Sequence, residues 1–261
     1  MNGYLLIDKP LGWSSFDVVA KVRGILRAAQ SNEQPIRQAQ GEVAKSNESS
    51  AHSSLLTAHS PKVKVGHTGT LDPLATGLMI VVVGSYCKRA QEFTKLDKTY
   101  EVSMKLGQTS TTGDEEGIKT VSKEQRVKSS EELQTALKKF KGEIMQVPPA
   151  YSAIKINGQR AYKLARAGKE VKLEPRKVTV YDINNYTYAY PEVTFTTKVS
   201  SGTYIRSLVQ DIGESLGTGA YMSGLRRTKV GTFDIKDAVT MNGLDGEAVS
   251  TNLSQLPEIA K

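Results

Sequence analysis

The apolar and polar positions of this chain change period several times, and each change marks an element. Near the N-terminus a short apolar run in GYLLIDK gives way to turn residues at Lys9-Pro10 and Gly12. Ser14 and Asp17 then form an S-x-x-D start signal for a helix, and Val18, Val22, Ile25 and Leu26 recur behind it at helical spacing. The predicted order is strand, loop, helix. Lys21, Arg23 and Arg27 fall on the polar side and read as an ordinary solvated face. Leu78 to Val83 is an unbroken apolar run of strand length. In KTYEVSMKLG, Tyr100, Val102, Met104 and Leu106 alternate with polar residues, as do Val193, Phe195, Thr197 and Val199 further on, and both patterns predict half-buried strands. EELQTALKKFKG predicts a short amphipathic helix ending at Gly142. Asn157-Gly158 predicts a hairpin turn between two short strands, followed by a helix that stops at Gly168. Ile205, Leu208, Val209, Ile212 and Leu216 trace a helical stripe that Gly217 ends, so Tyr204 and Arg206 fall in the first turn of a helix directly after a strand. Helices and strands interleave irregularly and the extended segments look antiparallel. The fold class is therefore α+β, with a mixed, largely antiparallel central sheet flanked by helices and loops.

One segment has no such pattern. Residues 29–61 are rich in Ser, Gln, Ala and Asn, contain no aromatic residue and show no sustained apolar period. Such a stretch buries too little to offset its ordering entropy, which predicts a disordered insertion in a loop. Its histidines, His52 and His59, have no cysteine or carboxylate neighbours at ligand spacing.

Composition narrows the setting. At 261 residues the chain can bury a sizeable core. Lys and Arg number 35 against 27 Asp and Glu, a net +8 that favours an anionic partner such as nucleic acid. The lone cysteine, Cys87, rules out an internal disulfide framework and any multi-cysteine metal site, so a reducing, cytoplasmic setting is the expectation. The run Leu78 to Val83 is too short to span a bilayer, and Asp8 and Lys9 stand where a signal peptide needs an apolar core.

Chemistry concentrates in residues 66–77, GHTGTLDPLATG, immediately before the apolar run. Asp72 before Pro73 has the form of a helix N-cap, with proline at the first helical position. The loop has no nucleophile elbow, no H-E-x-x-H and no phosphate loop, and Gly66, Gly69 and Gly77 miss the dinucleotide spacing. One carboxylate, Asp72, and one imidazole, His67, remain. An aspartate can act as covalent nucleophile or as base. An opposite charge nearby favours the ionised form of a carboxylate, and Arg206 is a candidate for that partner.

The run GHTGTLDPLATGLMIVVVG resembles the catalytic loop and strand of the bacterial tRNA pseudouridine-55 synthases. So do LIDKPLGWSSFDVV before it and, in the same order after it, KTYEVSMKLGQTSTTGD, VPPAYSAIKINGQRAYKLARAG, SSGTYIRSLVQDIGESLG and GAYMSGLRRTKVGTF. The resemblance implies isomerisation of a T-loop uridine of tRNA without cofactor or metal. The N1–C1′ bond breaks, the base turns, and C5 takes the place of N1. It makes Asp72 the catalytic aspartate, attacking C1′ or the ring or removing a ribose proton. By the same resemblance Tyr100 stacks on the flipped uracil and helps remove the C5 proton, while His67 wedges into the T-loop. Tyr204 lies near the substrate, Arg206 pairs with Asp72, and Leu225 sits beside the target base. Lys9, with Pro10, belongs to a loop that supports the catalytic loop, and it is counted among the substrate-binding residues. A basic surface for the RNA would draw on Lys62, Lys64, Lys88, Arg89, Lys155, Arg160, Lys163, Arg166, Arg226, Arg227 and Lys229.

The resemblance also carries departures. Relatives have a short connection where residues 29–61 intervene here, which makes that segment dispensable by expectation. Residues 1–240 are expected to form the catalytic domain and 241–261 a tail, in place of the small C-terminal RNA-binding domain of the PUA type. Without that domain the T-arm alone is the expected contact, and the expected state is a monomer with no obligate protein partner. Two other readings compete: an RNA chaperone that opens tRNA elbows, and a catalytic subunit guided by small RNAs. Loss of pseudouridine formation with retained RNA binding in Asp72→Asn separates an enzyme from a chaperone.

Overall fold

A computed structural model of the chain describes residues 1–39, 63–123, 129–156 and 158–255. Strand β1 (Gly3–Lys9) alternates buried and partly exposed side chains and turns at Lys9-Pro10 into helix α1 (Ser15–Ala39). The helix starts as its sequence signal predicts. Asp17 Oδ2 accepts from the Ser14 backbone N–H at 2.8 Å and from its hydroxyl at 2.7 Å, and Ser14 Oγ accepts from the Asp17 N–H at 3.2 Å. Val18, Val22 and Leu26 are buried in a cluster with Leu5, Ile7, Met79 and Val81. Arg23 does more than face solvent, because its guanidinium donates to the Val65 carbonyl at 3.0 Å.

Helix α1 continues to Ala39, so residues 29–39, within the stretch expected to be an insertion, are helical. Once a helix is nucleated, each further residue with an N–H adds a hydrogen bond, which favours extension past the end of the apolar stripe. The remainder of that segment, with His52 and His59, lies outside the described residues.

Strands β2 (Val65–His67) and β3 (Ala75–Val83), helix α2 (Ala90–Thr94) and strand β4 (Lys98–Leu106) follow. The apolar run lies within β3 and is almost wholly buried. A polar, turn-rich stretch then forms the small hairpin β5 (Gln108–Ser110) and β6 (Lys119–Val121). Helix α3 (Ser130–Lys139) opens on a capping box between Ser129 and Glu132. Strand β7 (Gly142–Gln146) leads to β8 (Lys155–Ile156) and β9 (Gln159–Arg160), which pair across the expected turn and run into α4 (Ala161–Arg166). Strands β10 (Arg176–Ala189) and β11 (Glu192–Val199) precede α5 (Ile205–Leu216), which ends at Gly217 with φ 76°. Strands β12 (Ala220–Val230), β13 (Phe233–Asp234) and β14 (Val239–Thr240) and helix α6 (Gly246–Asn252) complete the order.

The main sheet runs β14-β1-β3-β12-β4-β11-β10-β7, with β2 also on β3 and β13 on β12. Two pairings, β1 with β14 and β3 with β12, are parallel and the others antiparallel, as the α+β expectation has it. Helices α3 and α5 pack Leu133, Leu137, Leu208 and Ile212 against Val102, Met104 and Phe195 of β4 and β11. Helices α1 and α6 pack with β1 and β3 in a second cluster.

That second cluster includes part of the stretch expected to be a C-terminal tail. Met241 and Leu244 are buried, Asp245 caps α6 through the Ala248 N–H at 2.8 Å, and Val249 is wholly buried. Three apolar residues at 241, 244 and 249 give this short stretch a face that the β1–α1 layer covers. No described helix is long and apolar enough to cross a membrane.

Candidate active site

Strand β3 shares its edge between two neighbours, and this creates the loop that carries Asp72. Its first residues, Ala75 to Gly77, pair in parallel with Leu225 to Arg227 of β12, while Val81 to Val83 pair with β2. Between these pairings residues 68–74 leave the sheet. Gly77 permits so close an approach of β3 to β12: its φ is 105°, and a Cβ there would stand 2.3 Å from the Arg227 carbonyl oxygen. Asp72 does not cap a helix. Its carbonyl accepts from the Ala75 N–H at 3.0 Å in a tight turn that feeds β3, so the Asp-Pro pair starts a turn before a strand.

The loop is held from several sides. Ser15 Oγ donates to the Leu71 carbonyl at 2.9 Å and accepts from the Leu71 N–H at 2.8 Å. The Gly12 N–H donates to the Pro73 carbonyl at 2.9 Å. Beneath the loop, Arg227 donates from Nε to the Leu78 carbonyl at 2.7 Å and from its guanidinium to that of Gly69 at 3.2 Å.

The Asp72 side chain remains 44% exposed, and Oδ2 lies 3.1 Å from the guanidinium of Arg206 on the first turn of α5. Arg206 itself is buried and fixed by three further acceptors. Its second nitrogen donates to the Tyr151 carbonyl at 2.8 Å, and the first to the Thr112 carbonyl at 3.1 Å and Asp114 Oδ2 at 3.2 Å. Asp114 is also buried; its other oxygen accepts from the Thr112 hydroxyl and from the Glu116 N–H at 3.1 Å. A guanidinium held by four oxygens in this way has few orientations left. The start of α5 is stitched to residues 146–151 as well. The buried Gln146 amide accepts from the Tyr204 N–H at 2.8 Å and donates to the Tyr204 carbonyl at 3.1 Å, while Ser207 Oγ donates to the Val147 carbonyl at 2.8 Å.

The other expected residues take distinct places. Tyr100 on β4 is 8% exposed, in one cluster with Leu71 and Ala75, which flank Asp72, and with the partly buried Leu225. Tyr204 caps α5, and burial pushes its phenol above the usual range. His67 ends β2, paired with Val81; burial first, then Arg227 and Arg160, push its imidazole below the usual range. Its Nδ1 is buried without a hydrogen-bond partner among the described residues.

Lys9 differs from the substrate-binding expectation. It has no exposed surface, and its ammonium donates to the carbonyls of Trp13 at 2.6 Å, Pro10 at 2.9 Å and Pro73 at 3.5 Å. Burial pushes its pKa down to about 8, with Asp72 the largest opposing influence. Lys9 therefore braces the loop from behind.

Of the expected surface cations, Arg227 is turned inward, and Arg89, Arg226 and Lys229 are each paired with a carboxylate. Arg227 is 2% exposed, and Arg226 pairs with Asp8 at 2.7 Å. Both lie on a central strand, where the parallel pairing with β3 puts carbonyls and Asp8 in reach. Lys155, Arg160, Lys163 and Arg166 are exposed along β8, β9 and α4, and Lys62 lies outside the described residues.

Sequence patterns alone assign no role to Asp114, Gln146 or Ser15. Asp114 sits in a polar turn that reads as a turn, Gln146 at the end of a strand, and Ser15 beside the serine that caps the helix. Among the described residues no three His, Cys, Asp or Glu side chains group as metal ligands would.

The chain is similar to known proteins over most of its length. Residues 56–205 match the family model described as TruB family pseudouridylate synthase (N terminal domain), and residues 206–256 match the tRNA pseudouridylate synthase B C-terminal domain. The chain is 41% identical over 251 residues to a tRNA pseudouridine synthase B of Cupriavidus metallidurans, covering 95% of this chain and 68% of that protein. It is 40% identical over 245 residues to one of Burkholderia mallei, covering 94% and 70%. Among solved structures it is similar to a chain of a Cbf5-Nop10-Gar1 complex, with TM-score 0.62 and 28% identity over 93% of this chain and 53% of that one. A second, an H/ACA RNP bound to a substrate RNA containing 2′-deoxyuridine, gives TM-score 0.59 and 26% identity over 93% and 52%. The chain thus spans about half the length of those solved chains.

Proposed function

Because this chain belongs to the TruB family of pseudouridylate synthases, we propose that it converts the uridine at position 55 in the T-loop of tRNA to pseudouridine, with Asp72 as the catalytic aspartate. The observation that carries this reading is the half-exposed Asp72 carboxylate, paired at 3.1 Å with a buried arginine and mounted on a loop pinned to α1 and to the loop before it.

The reaction is an isomerisation. The glycosidic bond from N1 to C1′ breaks, the uracil turns, a bond from C5 to C1′ forms, and the proton on C5 leaves while N1 gains one. A base inside a folded RNA must first leave its stack, at a cost of roughly a few kcal/mol. Tyr100 and Leu225, which cluster with the residues flanking Asp72, offer an aromatic face and an apolar wall for the extruded base. Arg206 orients the carboxylate so that one oxygen faces it and the other stays available to C1′, the ring or a ribose proton. Tyr204, at the cap of the helix that carries Arg206, borders the same space, and His67 at the end of β2 is the residue that would enter the T-loop.

The RNA partner is the T-arm and T-loop, and the proposed working state is a monomer in the cytoplasm with no accessory protein. Incubating a T-arm stem-loop and full tRNA with the purified protein, without guide RNA, and mapping pseudouridine tests the reading. Pseudouridine is expected at the T-loop uridine. Asp72→Asn should reduce the rate at least about 10³-fold while RNA binding stays within about threefold. No modification by the parent protein overturns the proposal, and an active Asp72→Asn overturns the role of Asp72.

A further inference from the structure

Resting on that reading, we propose that Ser15 is a positioning residue for catalysis, fixing Asp72 through the backbone of Leu71. Ser15 is 3% exposed, and its hydroxyl both donates to and accepts from one residue: it donates to the Leu71 carbonyl at 2.9 Å and accepts from the Leu71 N–H at 2.8 Å. Leu71 immediately precedes Asp72. On the other side, the Gly12 N–H holds the Pro73 carbonyl at 2.9 Å. The two residues on either side of Asp72 are thus tied through their backbones to the first loop and the first turn of α1, both built from residues far earlier in the chain.

The capping of α1 does not account for this serine. Ser14 and Asp17 already satisfy the helix start through their reciprocal hydrogen bonds. Nor does general loop packing, because Leu71 is buried by its own side chain in the α5-side cluster, whereas its backbone is tied to α1. Ser15 therefore sets where the loop crosses between two layers. A shift of that crossing moves the Asp72 carboxylate relative to Arg206, whose position is fixed independently by Asp114, Thr112 and Tyr151. Displacements of about 1 Å at a reacting group cost on the order of a hundredfold in rate.

The test is single-turnover pseudouridine formation on a T-arm stem-loop by the parent chain and by Ser15→Ala, Ser15→Cys and Ser15→Thr, with RNA affinity and Tm measured in parallel. The expected result for Ser15→Ala is a maximal rate lower by about 10- to 100-fold, RNA affinity within about threefold of the parent, and recovery to within about fivefold of the parent rate in Ser15→Thr. If Ser15→Ala does not fold, Ser15→Cys decides, since a thiol of similar size bonds the backbone more weakly; it should show the same loss relative to Ser15→Thr. A hydroxyl-free variant that folds and keeps the parent's maximal rate overturns the inference, as does a loss confined to RNA affinity. A parent chain that forms no pseudouridine is a different result, and it overturns the reading of function on which this inference rests.

Discussion

At the residue scale the site is a chain of charges and carbonyls in which each group limits the next. Arg206 meets Asp72 with one nitrogen, and Asp114 and two carbonyls hold three more of its N–H donors. The guanidinium is held by contacts within the protein itself, and this suits a partner that must present a carboxylate in one orientation. Lys9 shows the same economy with a different outcome. Its folded pKa of about 8 lies below the ordinary value of 10.5, so between these pH values the unfolded chain holds a proton that the folded chain has released. Stability from this group therefore rises with pH across that window. Urea denaturation of the parent and of Lys9→Met from about pH 7 to about pH 10 should show the difference moving in the parent's favour as pH increases. A gap that stays flat or moves the other way would mean that Lys9 keeps its proton throughout.

At the scale of elements, the close approach of β3 and β12 decides where the loop leaves the sheet. Gly77 is the contact point, with φ 105° and the Arg227 backbone where a side chain would go. Gly77→Ala should destabilise the fold by at least about 2 kcal/mol, measured by urea denaturation, because backbone on both sides must move. A loss below about 0.5 kcal/mol would show that the two strands separate easily. Arg227 then has a structural role that its place in an Arg-Arg pair does not suggest, donating to carbonyls at both ends of the 68–78 stretch. The first turn of α5 is locked to residues 146–151 by the Gln146 amide and Ser207, so the half of the site that holds Arg206 is as firmly tied as the half that holds Asp72.

At the scale of the whole molecule, the net charge of +8 is divided between cations used internally and cations left on the surface. Arg206, Arg226 and Arg227 are engaged within the protein, and Lys155, Arg160 and Lys163 stand exposed on the β8–β9 hairpin and α4. On the proposed function these three bind phosphates. Replacing them with Gln together should weaken tRNA binding and lower the slope of log K against log salt by about 1 for each phosphate left without its cation. Filter-binding or fluorescence titrations between about 50 and 300 mM salt, which bracket the physiological range, would measure it. An unchanged slope would place the RNA elsewhere.

Local patterning was enough to place the strands and helices whose periods were strong: the alternating strands β4 and β11, the apolar run of β3, and the starts of α1 and α5 at local capping and turn signals. It also singled out Asp72 and Arg206, although only the fold brings these two residues to 3.1 Å. Tertiary structure decided the rest, because those outcomes depend on which backbone carbonyls a side chain meets after the chain has crossed the sheet. Lys9 and Arg227 became buried braces, Ser15 and Gln146 became clamps, and residues 241–252 became part of the core. Local patterning records whether a residue prefers water, but the partner that compensates its burial lies far away in sequence and leaves no period to read.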